Sequence, residues 1–439
     1  MDIHVVKSGD TLYSIALQHG VPMSQLILDN QLPEPDRLVV GQAIVIQYPE
    51  QTYTVQAGDT LFSIAAAHQT TVRQLLRDNP ALGGGDRIFP GQVLILSYRQ
   101  TREGTLSVNG YAYPHIDRGL LQRTLPFLSD LTPFTYRFTN QGALIQLDDQ
   151  YMIDAAQYMG VRPVFHLSNL DDTEGAFSQD LAHIALTDQQ VQTRLIHEVL
   201  GTLHSLGYQG LDVDFENVAA QDAQAYAQFI SRLREALSPH NIPVLVALTA
   251  KTSRDQPGSL YEGHDYRLLA QAADYVLLMT YEWGYSYGPP IAIAPIRNVR
   301  QVIEYALTEM KAEQIFLGIP NYGYDWLLPY QQGRRAPSIS NQEAVQLAIR
   351  HYAAIRYDQE AQSPWFRYVD GSGQEHEVWF EDARSIKAKL ALAQEYDLYG
   401  VGYWNLMRPF PQNWVVLNSL YHIREELSSG TGFFSSSAV

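Results

Sequence analysis

The chain of 439 residues contains no cysteine. Disulfide staples, thiolate nucleophiles and Cys-ligated zinc are therefore excluded. Basic residues are scarce, with 30 Lys and Arg against 47 Asp and Glu, a formal net charge of −17. Residues 1–98 share the imbalance, with five basic side chains against nine acidic. Neither part offers the cationic footprint that nucleic acid or an anionic membrane needs, so no nucleic-acid partner is expected. No run of about 18 apolar residues occurs, which predicts no membrane span. The opening MDIHVVKSGDTLYSIA lacks the basic and apolar segments of a signal peptide. Core material is ample: 46% of residues are hydrophobic, 11% aromatic and only 18% charged, a globular composition long enough for several packed units.

An internal repeat sets the first boundary. Ser8-Gly9-Asp10-Thr11-Leu12 recurs as Ala57-Gly58-Asp59-Thr60-Leu61, Ser14-Ile15-Ala16 as Ser63-Ile64-Ala65, and Asp29-Asn30 as Asp78-Asn79, all offset by 49 residues. After Asn79 the offset becomes 50, matching Gly41-Gln42 to Gly91-Gln92, so the extra residue lies in the Leu82-Gly83-Gly84-Gly85 loop. Each copy reads as a strand, a Thr-capped apolar helix, a second helix ending at Asp-Asn, and a closing strand: a βααβ unit. The GDTL, IA, DN and GQ positions resemble the LysM module over residues 3–48 and 52–98. That resemblance implies binding of glycans containing N-acetylglucosamine. The domains expected are 1–49 and 50–99, and the polar junction at 100–104 predicts modules that fold apart from the rest of the chain.

From residue 104 apolar strands alternate with amphipathic helices. Strands are expected at 106–112, 134–138, 162–166, 210–215, 244–247, 275–280, 315–319 and 400–404, and eight such units over residues 104–427 predict an α/β fold, a (β/α)8 TIM barrel. Residues 324–380 are too long for one crossover and read as a small α+β insertion. The Ser/Gly-rich stretch 428–439 reads as a flexible tail.

The chemistry concentrates in Gly210-Leu211-Asp212-Val213-Asp214-Phe215-Glu216. Period-two alternation puts Asp212, Asp214 and Glu216 on one face of a strand that should be covered on both sides. Burying three like charges costs several kcal/mol without a purpose or partners. At the C-terminal end of a barrel strand they would line the mouth, where neighbouring negative charge keeps one carboxyl protonated near neutral pH. General acid cleavage of an acetal needs that proton. A divalent metal is the rival reading, but no His accompanies the acids at ligand spacing and no calcium-loop pattern is present; neither metal nor cofactor is expected.

The string resembles the D-x-x-D-x-D-x-E signature of family 18 glycoside hydrolases, with Gln209 in place of the first Asp. Met279-Thr280-Tyr281-Glu282 resembles that family's M-x-Y-D, with Glu282 for Asp, and Gly318-Ile319-Pro320-Asn321-Tyr322-Gly323 resembles its G-x-P-x-YG. The resemblance implies Glu216 as proton donor, Asp214 and Asp212 as its partners, and Tyr281 as the hydrogen-bond donor to the substrate acetamido oxygen. It implies substrate contacts from Met279, Glu282, Asn321 and Tyr322, and a sugar stacked on Trp404. Two LysM units before a barrel with TYEWG and YGYDW strings resemble the spore-associated branch, the cortex-fragment lytic N-acetylglucosaminidases. That branch implies peptidoglycan as partner, a place in the spore envelope or cell wall without a signal peptide, and a retaining, substrate-assisted mechanism. A chitinase, differing only on the aglycone side of the cleft, and a non-catalytic glycan-binding barrel remain as alternatives. Glu216 separates the latter, because lectins of this family lack the acid.

Overall fold

The computed structural model describes residues 1–99, 101–171 and 175–425; the 428–439 stretch lies outside them. In the first repeat, strand Asp2–Val5 and strand Ala43–Ile46 pair antiparallel around helices Leu12–His19 and Met23–Asn30. The second repeats this with Pro49–Thr54, Leu61–Ala67, Val72–Asp78 and Val93–Tyr98. The repeated sequence signals have physical counterparts. Thr11 and Thr60 each accept from the backbone N–H three residues on, while Ser14 and Ser63 return the bond, forming capping boxes. The repeated Asn ties helix to strand: the Asn30 side chain donates to the Leu26 and Val45 carbonyls and accepts from Val45 N–H. Asn79 does the same with Leu75 and Ile95.

Eight parallel strands then close into a barrel: Gly104–Ala112, Asp130–Pro133, Arg162–Ser168, Gly210–Asp214, Val244–Thr249, Tyr275–Met279, Ile315–Pro320 and Gly400–Trp404, the last pairing with the first. Seven overlap the strands expected. The second does not, because it runs over Asp130–Pro133 rather than 134–138. Its polar start is held by a two-pronged contact from Arg162 on the neighbouring strand, at 2.7 and 3.1 Å, a long-range partner that local apolarity does not reveal. Arg137–Phe138 instead pairs with Leu144–Ile145 in a small hairpin beyond the barrel.

The insertion is a five-stranded antiparallel sheet, in the order Ser338–Ile339, Gly323–Leu328, Glu375–Trp379, Ser363–Val369, Arg356–Asp358, with helix Asn341–Arg350 capped by Ser340 and Glu343. Its strand Gly323–Leu328 leaves the seventh barrel strand after only two residues, which carries Tyr322 and Tyr324 to the barrel mouth.

The modules do not stand apart from the barrel, contrary to the reading of the polar junction. Apolar residues of the second module share one continuous core with the barrel. The buried Arg73 donates to the Gly160 carbonyl at 3.1 Å and to Leu128 O, and Arg77 donates to Pro126 O at 2.6 Å. The first module rests on the insertion: Val39 joins that core, and Ile355 N–H donates to Val40 O at 2.9 Å. Gly41, at φ +87°, lies so close to Ile355 that a Cβ would sit 1.8 Å from its carbonyl oxygen, so only glycine fits. Removing the modules uncovers this apolar face and leaves the Pro126 and Leu128 carbonyls without their guanidinium donors. Deletion of residues 1–98 is therefore expected to lower the thermal midpoint by more than about 5 °C and to promote aggregation, read by melting and light scattering. A truncated barrel melting with the full chain would show the docking to be energetically idle.

Candidate active site

The fourth barrel strand, Gly210–Asp214, turns Leu211, Val213 and the following Phe215 outward, each 0% exposed. Phe215 stacks on Tyr226 with ring centroids 5.6 Å apart. Asp212 and Asp214 consequently point to the barrel axis, and Glu216 follows two residues on at the rim. Two side chains fasten that strand end. Asn169 accepts from Glu216 N–H at 3.0 Å and donates to Glu216 O at 2.8 Å. His264 donates from Nε2 to Phe215 O at 2.8 Å while its Nδ1 accepts from Thr249 N–H at 3.1 Å, which sets its tautomer, and burial lowers its pKa to about 4.

Above the strand ends opens a cleft of about 790 Å³, lined among others by Asp214, Glu216, Tyr281, Glu282, Met279 and Trp404. Asp212 lies beneath it, fully buried, accepting from the Tyr111 hydroxyl at 2.8 Å. Burial raises Asp212 to about 7 against that hydrogen bond. Asp214 is pushed well above the usual carboxylate range by burial, then by Glu216 and Asp212. Burial, followed by the charge of Glu282, raises Glu216 to about 7. The row therefore holds protons at neutral pH that isolated carboxylates would have lost. One of them faces the cleft, which is the condition for a general acid.

Sequence spacing missed a histidine among the acids. His166, on the third strand, places Nε2 3.7 Å from both Asp212 Oδ2 and Asp214 Oδ2, with Nδ1 2.6 Å from Thr135 Oγ1. Burial lowers it to about 3, so it is a neutral imidazole. Parallel neighbours in register, Asp212 beside His166 and Asp214 beside Ser168, make this juxtaposition, and no local motif announces it. Among the described residues no group of three or more His, Asp or Glu is arranged to hold a metal ion, and no helix is long and apolar enough to cross a membrane.

Gln209 precedes the strand and bonds Pro163 O through its backbone. It is three residues, about 10 Å, from Asp212, so the departure from D-x-x-D-x-D-x-E falls at the end remote from the cleft. Trp404 faces the cleft within an aromatic wall, its ring 4.8 Å from Phe134 and 5.8 Å from Tyr111. Asn321 and Tyr322, expected as substrate contacts, do not line the cleft. Asn321 is buried because its amide donates to the carbonyls of Asn405 and Arg408 at 2.8 and 2.9 Å, bracing the loop after the last strand. The Tyr322 hydroxyl donates to Glu282 Oε1, as does Tyr324 at 3.0 Å. These two tyrosines aim Glu282 from behind.

If Glu216 must carry its proton, turnover is lost as pH rises through about 7, falling tenfold per unit above it. Because the Glu282 charge raises Glu216, Glu282→Gln should move that alkaline limb to lower pH. A pH–rate profile on a soluble glycan checks both, and an unmoved limb would remove Glu282 from the electrostatics of the acid.

Comparison with known proteins agrees with this architecture. Glycosyl hydrolases family 18 matches residues 168–408, and the LysM domain matches residues 4–47 and 53–97. The chain is 42% identical to the cortical fragment-lytic enzyme of Bacillus subtilis (strain 168), covering 96% of this chain and 99% of that protein. The crystal structure of the Bacillus cereus spore cortex-lytic enzyme SleL superposes with a TM-score of 0.83 at 35% identity, over 97% of this chain and 99% of that one. A chitinase from Chromobacterium violaceum ATCC 12472 matches with a TM-score of 0.67 at 27% identity, over 72% of this chain and 98% of that one. This glycosidase, a TIM barrel whose catalytic-family match includes the Asp212–Glu216 row and which carries two LysM domains at residues 4–47 and 53–97, belongs to the glycosyl hydrolases of family 18.

Proposed function

We propose that the protein hydrolyses spore cortex peptidoglycan as a retaining β-N-acetylglucosaminidase, deposited on the spore and held to its glycan through the LysM domains. The observation that carries this reading is the row of Asp212, Asp214 and Glu216 with a proton retained at the cleft near pH 7. Similarity to cortical fragment-lytic enzymes along nearly the whole chain supports peptidoglycan over other glycans.

Glu216 protonates the glycosidic oxygen and later, as carboxylate, activates water. The acetamido carbonyl oxygen of the sugar in the −1 subsite attacks C1, making this one of the exceptions to an enzyme-borne nucleophile. Asp214 meets the acetamido N–H, and the positive charge that develops beside it favours its ionised form, which accepts that N–H and balances the oxazolinium charge. His166 Nε2 lies 3.7 Å from both Asp212 and Asp214, Tyr281 donates to the carbonyl oxygen, and Trp404 supports the apolar face of the sugar. Positioning of the internal nucleophile supplies more rate than the proton alone.

Digestion of cortex peptidoglycan beside colloidal chitin, with mass spectrometry of labelled reducing ends, tests the assignment. N-acetylglucosamine at the new ends of peptidoglycan fragments is expected. Faster release from chitin makes the protein a chitinase, and no release from either leaves a glycan-binding barrel.

A further inference from the structure

The proposed reaction asks something of Asp214 that its surroundings resist. In the free enzyme burial, then Glu216 and Asp212, keep its carboxyl protonated near neutral pH, yet beside the oxazolinium ring it must be a carboxylate. Its Oδ1 is buried without a hydrogen-bond partner among the described residues, so no protein donor there prepares the ionised form. The proton has to leave as the ring forms, and it leaves through a neighbour. Glu216 is a poor recipient, because it must be a carboxylate to activate water. Asp212 is the next carboxyl in the row, but the Tyr111 hydroxyl, donating to it at 2.8 Å, favours its ionised state.

The remaining neighbour is His166, buried in the floor of the cleft. Its two ring nitrogens have different partners. Nδ1 lies 2.6 Å from Thr135 Oγ1, and the Thr135 hydroxyl has acceptors of its own, Ser168 Oγ at 3.0 Å and Tyr136 O at 3.2 Å. With the hydroxyl proton used there, Nδ1 is the donor to Thr135, which assigns the tautomer. Nε2 is then a bare lone pair, 3.7 Å from Asp214 Oδ2 and 3.7 Å from Asp212 Oδ2. A lone pair that faces two carboxyl groups repels their ionised forms and attracts a proton carried by either. Packing fixes the ring, with Phe134 at 4.8 Å and Tyr111 edge-on at 5.7 Å between centroids.

We infer that His166 takes up the Asp214 proton as the oxazolinium ring forms and returns it when the ring is hydrolysed, a positioning residue that acts through Asp214 rather than on the sugar. The inference rests on the substrate-assisted mechanism proposed above. As the acetamido N–H engages Asp214, the O–H bond of its carboxyl breaks, an N–H bond forms at His166 Nε2, and the electron pair stays on Asp214. No proton enters or leaves the site in this step. The 3.7 Å separation exceeds a hydrogen bond, so a small turn of the Asp214 carboxyl toward Nε2 precedes the transfer. Burial alone holds the imidazole neutral, at about 3. Once Asp214 ionises, its charge within ion-pair distance opposes that burial, and Asp212 adds to it when ionised. The titratable groups facing the ring are Asp212 and Asp214 from the fourth strand, with Glu216 beyond them, and Tyr111 from the first; Thr135 and Phe134 bring no charge.

The test uses the full chain. His166→Asn keeps an amide donor where Nδ1 meets Thr135 but has no base at Nε2, and His166→Gln puts an amide in place of Nε2. Both are expected to melt with the parent and to keep KM on soluble cortex peptidoglycan fragments within about twofold, while kcat and the affinity for a thiazoline inhibitor each fall at least about tenfold. A merely structural role would instead raise KM and lower the melting temperature. With the histidine ring nitrogens isotopically labelled, the His166 resonances, identified by their loss in His166→Asn, should show one protonated nitrogen in the free enzyme and two in the thiazoline complex. A ring that stays neutral in that complex, or variants that keep the parent kcat, would overturn the relay and pass the proton to Asp212. If the parent turns over substrate but does not bind the thiazoline, substrate assistance itself fails, and the relay with it. If one variant misfolds, the other decides.

Discussion

Replacing Glu216 by Gln is expected to reduce turnover at least about 10²-fold while leaving glycan affinity near that of the parent. Gln keeps the size of the side chain and its backbone clamp to Asn169, because those bonds run through Glu216 N and O. What it removes is the proton that burial and Glu282 retain to about pH 7. It also removes one of the charges that raise Asp214, so Asp214 should ionise more readily in the variant. Loss of turnover with binding preserved is therefore the signature of a missing acid rather than a collapsed site. Activity within threefold of the parent would sink the assignment of Glu216, and the search for the donor would pass to Glu282 and Asp214, the other carboxyls that line the cleft.

A larger effect is expected when the nucleophile itself is taken away. The row offers a rim acid and two buried aspartates, of which Asp212 lies under the cleft and accepts from Tyr111. In the proposed mechanism none of them attacks C1; the substrate acetamido group does. De-N-acetylation leaves an amine that cannot close the oxazolinium ring, so glycans with glucosamine at −1 should resist cleavage by about 10³-fold or more even when bound. A thiazoline mimic of the cyclic intermediate should inhibit competitively, since it presents the ring that Asp214 and Tyr281 are placed to meet. Comparable cutting of de-N-acetylated substrate, or a fluorosugar trapped covalently on Asp214, would replace substrate assistance by direct double displacement.

Local periodicity determined much of this protein. The 49-residue repeat, with its capping threonines and its helix-to-strand asparagines, specified two βααβ units, because each signal acts within one module. The alternation in Gly210–Asp214 put the acids on one face, since a strand's side-chain period is a property of its own backbone. Seven barrel strands and the acidic row came from such patterns.

Tertiary structure decided what depends on neighbours distant in sequence. The second barrel strand is placed by Arg162 gripping Asp130. His166 meets Asp212 and Asp214 only because the third and fourth strands lie in register. Asn321 and Tyr322 carry a family-like motif, yet one braces a loop and the other aims Glu282, because the insertion strand Gly323–Leu328 pulls the chain behind the cleft wall. A polar junction at 100–104 reads as the boundary of modules that fold apart, but the buried Arg73 and the glycine at 41 weld both modules to barrel and insertion. Burial and proximity across strands set the protonation of the acids, and neither quantity is written in the spacing of residues along one chain segment.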